Sequence, residues 1–163
     1  MNTLINHIID QLHIIQDGRP WVGSSYARKL RGIEDEQVFV RPIAEMHSIA
    51  EIISHLSFWR KEAILKIKTG DGGKTDDCEE NWLTNEELKP KGWAAIKSEY
   101  DNSLLELIDL LKEKDDTFLD ETYYDNDFKG TYTYRFLIDG VLHHDVYHLG
   151  QLGIIVKYLQ KTD

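Results

Sequence analysis

Apolar residues recur along most of this chain at separations of three and four, the pattern of helices that bury one face. From Thr3 to about Gln16, Leu4, Ile5, Ile8, Ile9, Leu12 and Ile15 keep that spacing until Asp17, Gly18, Arg19 and Pro20 stop it. A second helix opens at Ser48, with Glu51 placed so that the two side chains satisfy each other's free backbone amides. Ile49, Ile52, Ile53, Leu56, Trp59, Ala63, Ile64 and Ile67 make its apolar face. A third helix carries Trp93, Ile96, Tyr100, Leu104, Leu107 and Leu111 and ends in the charged run from Lys112 to Asp116. Thr133 can cap a fourth that runs to about Gln160, with Lys157 and Lys161 near its negative end.

The segments between these helices read differently. Trp21, Val22 and Gly23 form a connector with Trp21 as its aromatic anchor, and Ser24 or Ser25 can cap a short helix ending near Gly32. From Thr69 to about Lys91 the chain turns polar, a long exposed connection with one helical turn near Asn85 to Leu88. Phe118 to Thr133 alternates aromatic and acidic residues loosely around Gly130, a weak signal for a short extended ribbon. Four amphipathic helices with so few strand signals predict an all-α four-helix bundle, a single domain over residues 1–163. The long second connection allows a crossover between its helices.

The fourth helix carries the unusual feature. Leu137, Val141, His144, His148, Gln151, Ile155 and Tyr158 follow alternating steps of four and three, so two histidines occupy positions that face a core. Four residues apart, they stack on one face one turn from each other, within reach of a single metal ion. A buried ring that finds no partner costs roughly 1–3 kcal/mol, and a metal resolves that cost for several rings together. Catalytic sites usually have three protein ligands, and His55, beside Trp59 on the second helix, is the candidate third. His47 precedes the cap of that helix and is expected to be solvated. His7 and His13, six apart, do not stack and are expected at the surface. A second apolar line on the last helix, Ile138, Leu142, Leu149 and Val156, is left to pack either inside the bundle or in a homodimer interface.

Composition narrows the function. With 19 Lys and Arg against 29 Asp and Glu, the formal net charge is −10, which disfavours nucleic acid and anionic lipid as partners. Cys78 is the only cysteine, so no internal disulfide forms, and set among Asp76, Asp77, Glu79 and Glu80 it reads as an ordinary loop residue. No run approaches the roughly 20 apolar residues that span a bilayer, and the N-terminus lacks a signal-peptide pattern, so a cytoplasmic protein is expected. Asp125 and Asp127 are expected to be surface carboxylates, because the remainder of a calcium-loop pattern is missing.

His55 with Trp59, followed by the run from His144 through His148 to Gly150 and Gln151, resembles the DinB-like superfamily, and the likeness extends over nearly the whole chain, including the Trp21 and Gly23 connector. The resemblance implies a four-helix bundle in which His55, His144 and His148 bind a divalent metal, with zinc or nickel the leading choices. It further implies a link to thiol-cofactor-dependent transferases and isomerases, hence a low-molecular-weight thiol and a small-molecule substrate. A metal-dependent hydrolase and a non-enzymatic, metal-stabilised binding module are the alternatives. A zinc peptidase is disfavoured: the position after the first histidine of a zincin pair is a glutamate base, and here it is Asp145. No catalytic residue beyond the ligands is assigned, Tyr147 and Gln151 included.

Overall fold

The computed structural model describes residues 2–160. Its helices are α1 (Thr3–Gln16), α2 (Tyr26–Leu30), α3 (Ile49–Thr69), α4 (Asn85–Leu88), α5 (Trp93–Lys112) and α6 (Tyr134–Leu159). A small antiparallel hairpin, β1 (Thr122–Asp125) and β2 (Gly130–Thr133), precedes α6 with Thr122 opposite Thr133. The weak ribbon signal is therefore a true hairpin. Lys161, assigned above to the end of the last helix, lies outside the described residues.

Local chemistry sets the helix ends. Ser48 Oγ accepts from Glu51 N at 3.2 Å while Glu51 Oε2 accepts from Ser48 N at 2.8 Å, and Gly70 closes α3 in the left-handed conformation at φ 75°. Thr133 caps α6 by accepting from Phe136 N. The start of α1 is capped from a distance: Asp116 accepts the backbone N–H groups of Thr3, Leu4 and Ile5 at 3.0–3.1 Å, tying α1 to the far end of α5.

Side-chain pairings give the helix directions. Thr3 meets Asp116 and Gln16 meets Asp101, so α1 and α5 are antiparallel. Lys61 pairs with Glu99 and Lys68 with Glu106, so α3 and α5 run parallel. His55 meets His144 and Lys66 O meets Tyr134 Oη, so α6 opposes α3. The bundle is thus up, down, down, up, and the connection from Thr69 to Trp93 must travel back along its whole length. It does so against α3. Lys74 N donates to Glu62 Oε1, Trp59 Nε1 donates to Asn81 Oδ1, and Asn85 N donates to Glu51 Oε1, each contact one or two turns nearer the start of the helix. The crossover expected for this connection is present, and it is packed along α3 for most of that helix.

The apolar interior falls into two clusters. One surrounds Ile5, Leu107, Leu111 and Ile138, the other Tyr26, Ile53, Ile96 and Leu152. Between them lies a polar layer with one residue from each long helix. Arg60 Nη2 donates to Asp145 Oδ2 at 2.7 Å, its guanidinium lies 4.3 Å from the Tyr100 ring, and Tyr100 Oη donates to Gln16 Oε1 at 2.7 Å.

Several expectations are corrected here, and one open alternative is resolved. Trp21 is not an anchor: it is 99% exposed, and Tyr26, fully buried and donating to Asp145 O, fills that role. Ile138, Leu149 and Val156 are core residues, so that line of α6 packs inside the bundle. Tyr158 is half exposed and leaves the histidine seam. Asp125 is buried at 1% exposure rather than at the surface, because Lys66 Nζ at 2.9 Å and Tyr123 Oη at 3.0 Å both donate to its Oδ2.

Candidate metal centre

Antiparallel packing of α3 on α6 sets His55 opposite the turn that carries His144 and His148. Their ligand atoms all lie within 4.8 Å of one another, with His144 Nε2 at 2.9 Å from His55 Nε2 and 3.0 Å from His148 Nε2. His55 and His148 are buried, and His144 is partly exposed. The three residues singled out in the sequence are brought together.

The outer nitrogens decide what the inner ones offer. His55 Nδ1 lies 2.9 Å from the Asn81 carbonyl and His148 Nδ1 lies 2.7 Å from Gln151 Oε1, so each Nδ1 carries the proton and donates. Both Nε2 atoms are then bare lone pairs. His144 Nε2 sits between them and has at most one proton to share, so three electron-rich nitrogens converge on a point that hydrogen bonds alone do not satisfy. A cation suits that donor set, and the histidine group can hold a metal ion.

The returning connection builds the rest of the site. Trp82 stacks on His55 at 3.7 Å between ring centroids and 9° between planes, and His47 stacks on the opposite face of the same indole at 3.7 Å and 8°. Trp82 thereby fixes the plane of the His55 ring. His47 is half exposed and part of this sandwich rather than free in solvent. Glu51 stays with the helix cap and Arg41 and does not reach His55. Asn81 and Trp82 were not visible as site residues in the sequence; the only signal was an aromatic residue within an otherwise acidic, polar stretch.

Asp145 faces away from this space. It is 2% exposed and bonded to Arg60, with burial pushing its carboxyl up from the usual range against the opposing pull of the guanidinium. It cannot serve as the general base of a peptidase. A cavity of about 520 Å³ opens beside the three histidines and runs between α3 and α6, and Trp82, Tyr147 and Gln151 also line it. This volume falls in the range of small-molecule sites.

The sequence pattern that defines the DinB superfamily matches residues 24–152. The chain belongs to the DinB superfamily. No curated protein and no solved structure matches it significantly. The matched span contains all three histidines, the polar layer residues Arg60, Tyr100 and Asp145, and the returning connection of this DinB chain. No helix among the described residues is long and apolar enough to cross a membrane.

Burial, reinforced by the neighbouring rings, pushes His55, His144 and His148 down to about 4. An unfolded histidine titrates near 6.5, so below that pH the unfolded chain takes up protons that the native rings refuse. The stability from these neutral rings is complete above about pH 6.5 and falls as pH drops toward about 4. Metal-free protein is therefore expected to lose melting temperature steeply over that window, as thermal unfolding at successive pH values would show. A flat profile from pH 7 to 4 would mean that the rings protonate freely in the native state.

Proposed function

We propose that this DinB-superfamily protein binds a divalent metal, zinc or nickel first, through His55, His144 and His148, and acts as a thiol-cofactor-dependent transferase on a small-molecule substrate. The observation that carries the reading is the convergence of three Nε2 atoms, two of them made bare by hydrogen bonds at Nδ1, beside an open cavity. A divalent metal held there supplies Lewis acidity at neutral pH. The protein's own residues do the remaining work. Asn81 and Gln151 hold two rings in the tautomer that presents a lone pair. Trp82 covers the face of His55 and walls that side of the cavity. Val141, Leu137 and Phe136 offer an apolar wall for a substrate, a setting that favours transfer between two bound organic groups over hydrolysis.

The test has two stages. Elemental analysis of protein purified without chelator or nickel resin is expected to find close to one metal per chain. Metal-loaded protein is then assayed with bacillithiol, mycothiol and glutathione against a panel of electrophiles, with a chelated control. Metal-dependent consumption of one thiol supports the transferase. A fully metallated protein that turns over no pair, but hydrolyses activated esters or amides, supports the hydrolase. One that does neither is a metal-stabilised binding module.

A further inference from the structure

The end of the cavity remote from the histidines is built around a buried charge cluster. Glu62, Lys66 and Asp125 are each 3% exposed or less, and all three line the cavity. Asp125 is fully used: Oδ2 accepts from Lys66 Nζ and Tyr123 Oη, and Oδ1 accepts from the backbone N–H groups of Asp127 and Phe128. Lys66 is committed to it at 2.9 Å and lies 3.9 Å from Glu62 Oε1. Glu62 is different. Its Oε1 accepts from Lys74 N at 3.1 Å, while its Oε2 has no hydrogen-bond partner among the described residues. One ammonium is shared by two buried carboxylates, and the carboxylate with an unused oxygen faces the cavity. Gly72 presses against this group so closely that a Cβ there would collide with Glu62 and Lys66.

Glu62 Oε2 is not among the fully enclosed atoms that lack a partner, so it is open to the cavity, where a ligand's donor group would take the place of water. The surroundings select the donor's sign. The acids lining the cavity are Glu62, Asp76, Asp125 and Asp127, and among the described lining residues Lys66 is the one lysine or arginine that opposes them. An anion approaching Lys66 would meet carboxylates on either side. Glu62 lies seven residues beyond His55 on α3, roughly 10 Å along the helix, and Ala63, Leu137, Val141 and Phe136 cover the span between. Gly140 on α6 borders the same span, and a Cβ added there would meet nothing within 4 Å, so the channel stays wide at that point.

We propose that this cavity takes an organic cation, a protonated amine or guanidinium carried on an apolar chain, with its charged end received by Glu62 and its other end at the three histidines. The inference deepens the reading of the site given above by naming its substrate class, and the Glu62 subsite is tested separately from the metal. Hexylguanidinium serves as the probe, since it stays protonated at any working pH and so has no lone pair free to ligate a metal. Calorimetric titration of the full chain, zinc-loaded and chelator-treated, is run in parallel with hexanoate and hexanol at low salt. Hexylguanidinium is expected to bind about tenfold or more tightly than either. Glu62→Gln, checked as folded, is expected to remove most of that preference.

Hexanoate binding as well as hexylguanidinium, or no binding by any of the three, overturns the proposal. So does an unchanged preference in folded Glu62→Gln. Should that variant not fold, the ranking of the three probes on the natural protein still decides. Zinc uptake near one per chain without a guanidinium preference removes the subsite and leaves the metal reading intact. A guanidinium preference in protein that takes up no zinc, nickel, iron or manganese supports the subsite and removes the metal reading.

Discussion

Replacing His144 with alanine is expected to abolish stoichiometric metal binding while leaving the metal-free fold in place. His144 is the hub of the group, since its Nε2 lies 2.9 Å from that of His55 and 3.0 Å from that of His148. It is also the least buried of the three, so its loss opens little of the core. Gln151→Ala removes only the hydrogen bond to His148 Nδ1 and is expected to weaken binding by about 10- to 100-fold, as loss of an outer-shell partner commonly does, with His144→Ala the more severe. Elemental analysis together with competition against a chromophoric chelator would measure both. Stability offers an independent readout. Metal at about 100 times its dissociation constant adds about 2.7 kcal/mol to a protein that binds it only when folded. The natural protein should show that metal-dependent rise in melting temperature, and His144→Ala should not. Equal metal content in the two proteins would place the ligands elsewhere.

Asp145→Ala is expected to destabilise the protein by about 3–5 kcal/mol, the usual consequence of leaving one member of a buried ion pair unopposed. Arg60 is 1% exposed, and among the described residues the carboxylate at 2.7 Å is its only anionic partner, the Tyr100 ring and hydroxyl being neutral. The effect should reverse in the double variant Arg60→Met with Asp145→Leu. Apolar residues of similar size often replace a buried pair with little loss, and here Arg60 Nε and Asp145 Oδ1 have no hydrogen bond among the described residues to lose. Denaturant unfolding of Arg60→Met, Asp145→Leu and the double variant would give the coupling directly. The layer also fixes how α6 sits against α3, since Arg60 and Asp145 pair one residue past His144. If specificity of packing is the purpose of the pair, the stable double variant should hold metal less tightly than the natural protein. Unchanged metal affinity would restrict the pair to stability.

Much of this architecture was legible along the chain. The helix limits followed from caps and periodicity: the Ser48 and Glu51 box and the Thr133 cap are local devices, complete within four residues, and they form where expected. The histidine triad was legible because the i, i+4 pair on α6 is also local, and because a third polar ring on another apolar face is rare enough to stand out. Membership of the DinB superfamily agreed with both.

What the sequence could not determine depends on which faces meet. Trp21 and Tyr26 are both aromatic residues in one connector, and only packing decides that the first is solvated and the second buried. The α6 line through Ile138 and Leu149 is equally apolar whether it faces a partner or the bundle, so periodicity alone does not separate core from interface. The polar layer of Gln16, Arg60, Tyr100 and Asp145 draws one residue from each of four helices, and no spacing along the chain relates them. The same holds for the site's outer parts. Asn81, Trp82 and Glu62 acquire their roles because α3 and α5 run parallel, which forces the connection back along α3 and over His55. The sequence by itself therefore determined the helices, their caps and the three histidines, all set by short-range geometry. The tertiary structure alone decided the helix directions, the covering of the three-histidine group and the charge at the end of its cavity, because those arise from contacts between residues far apart in the chain.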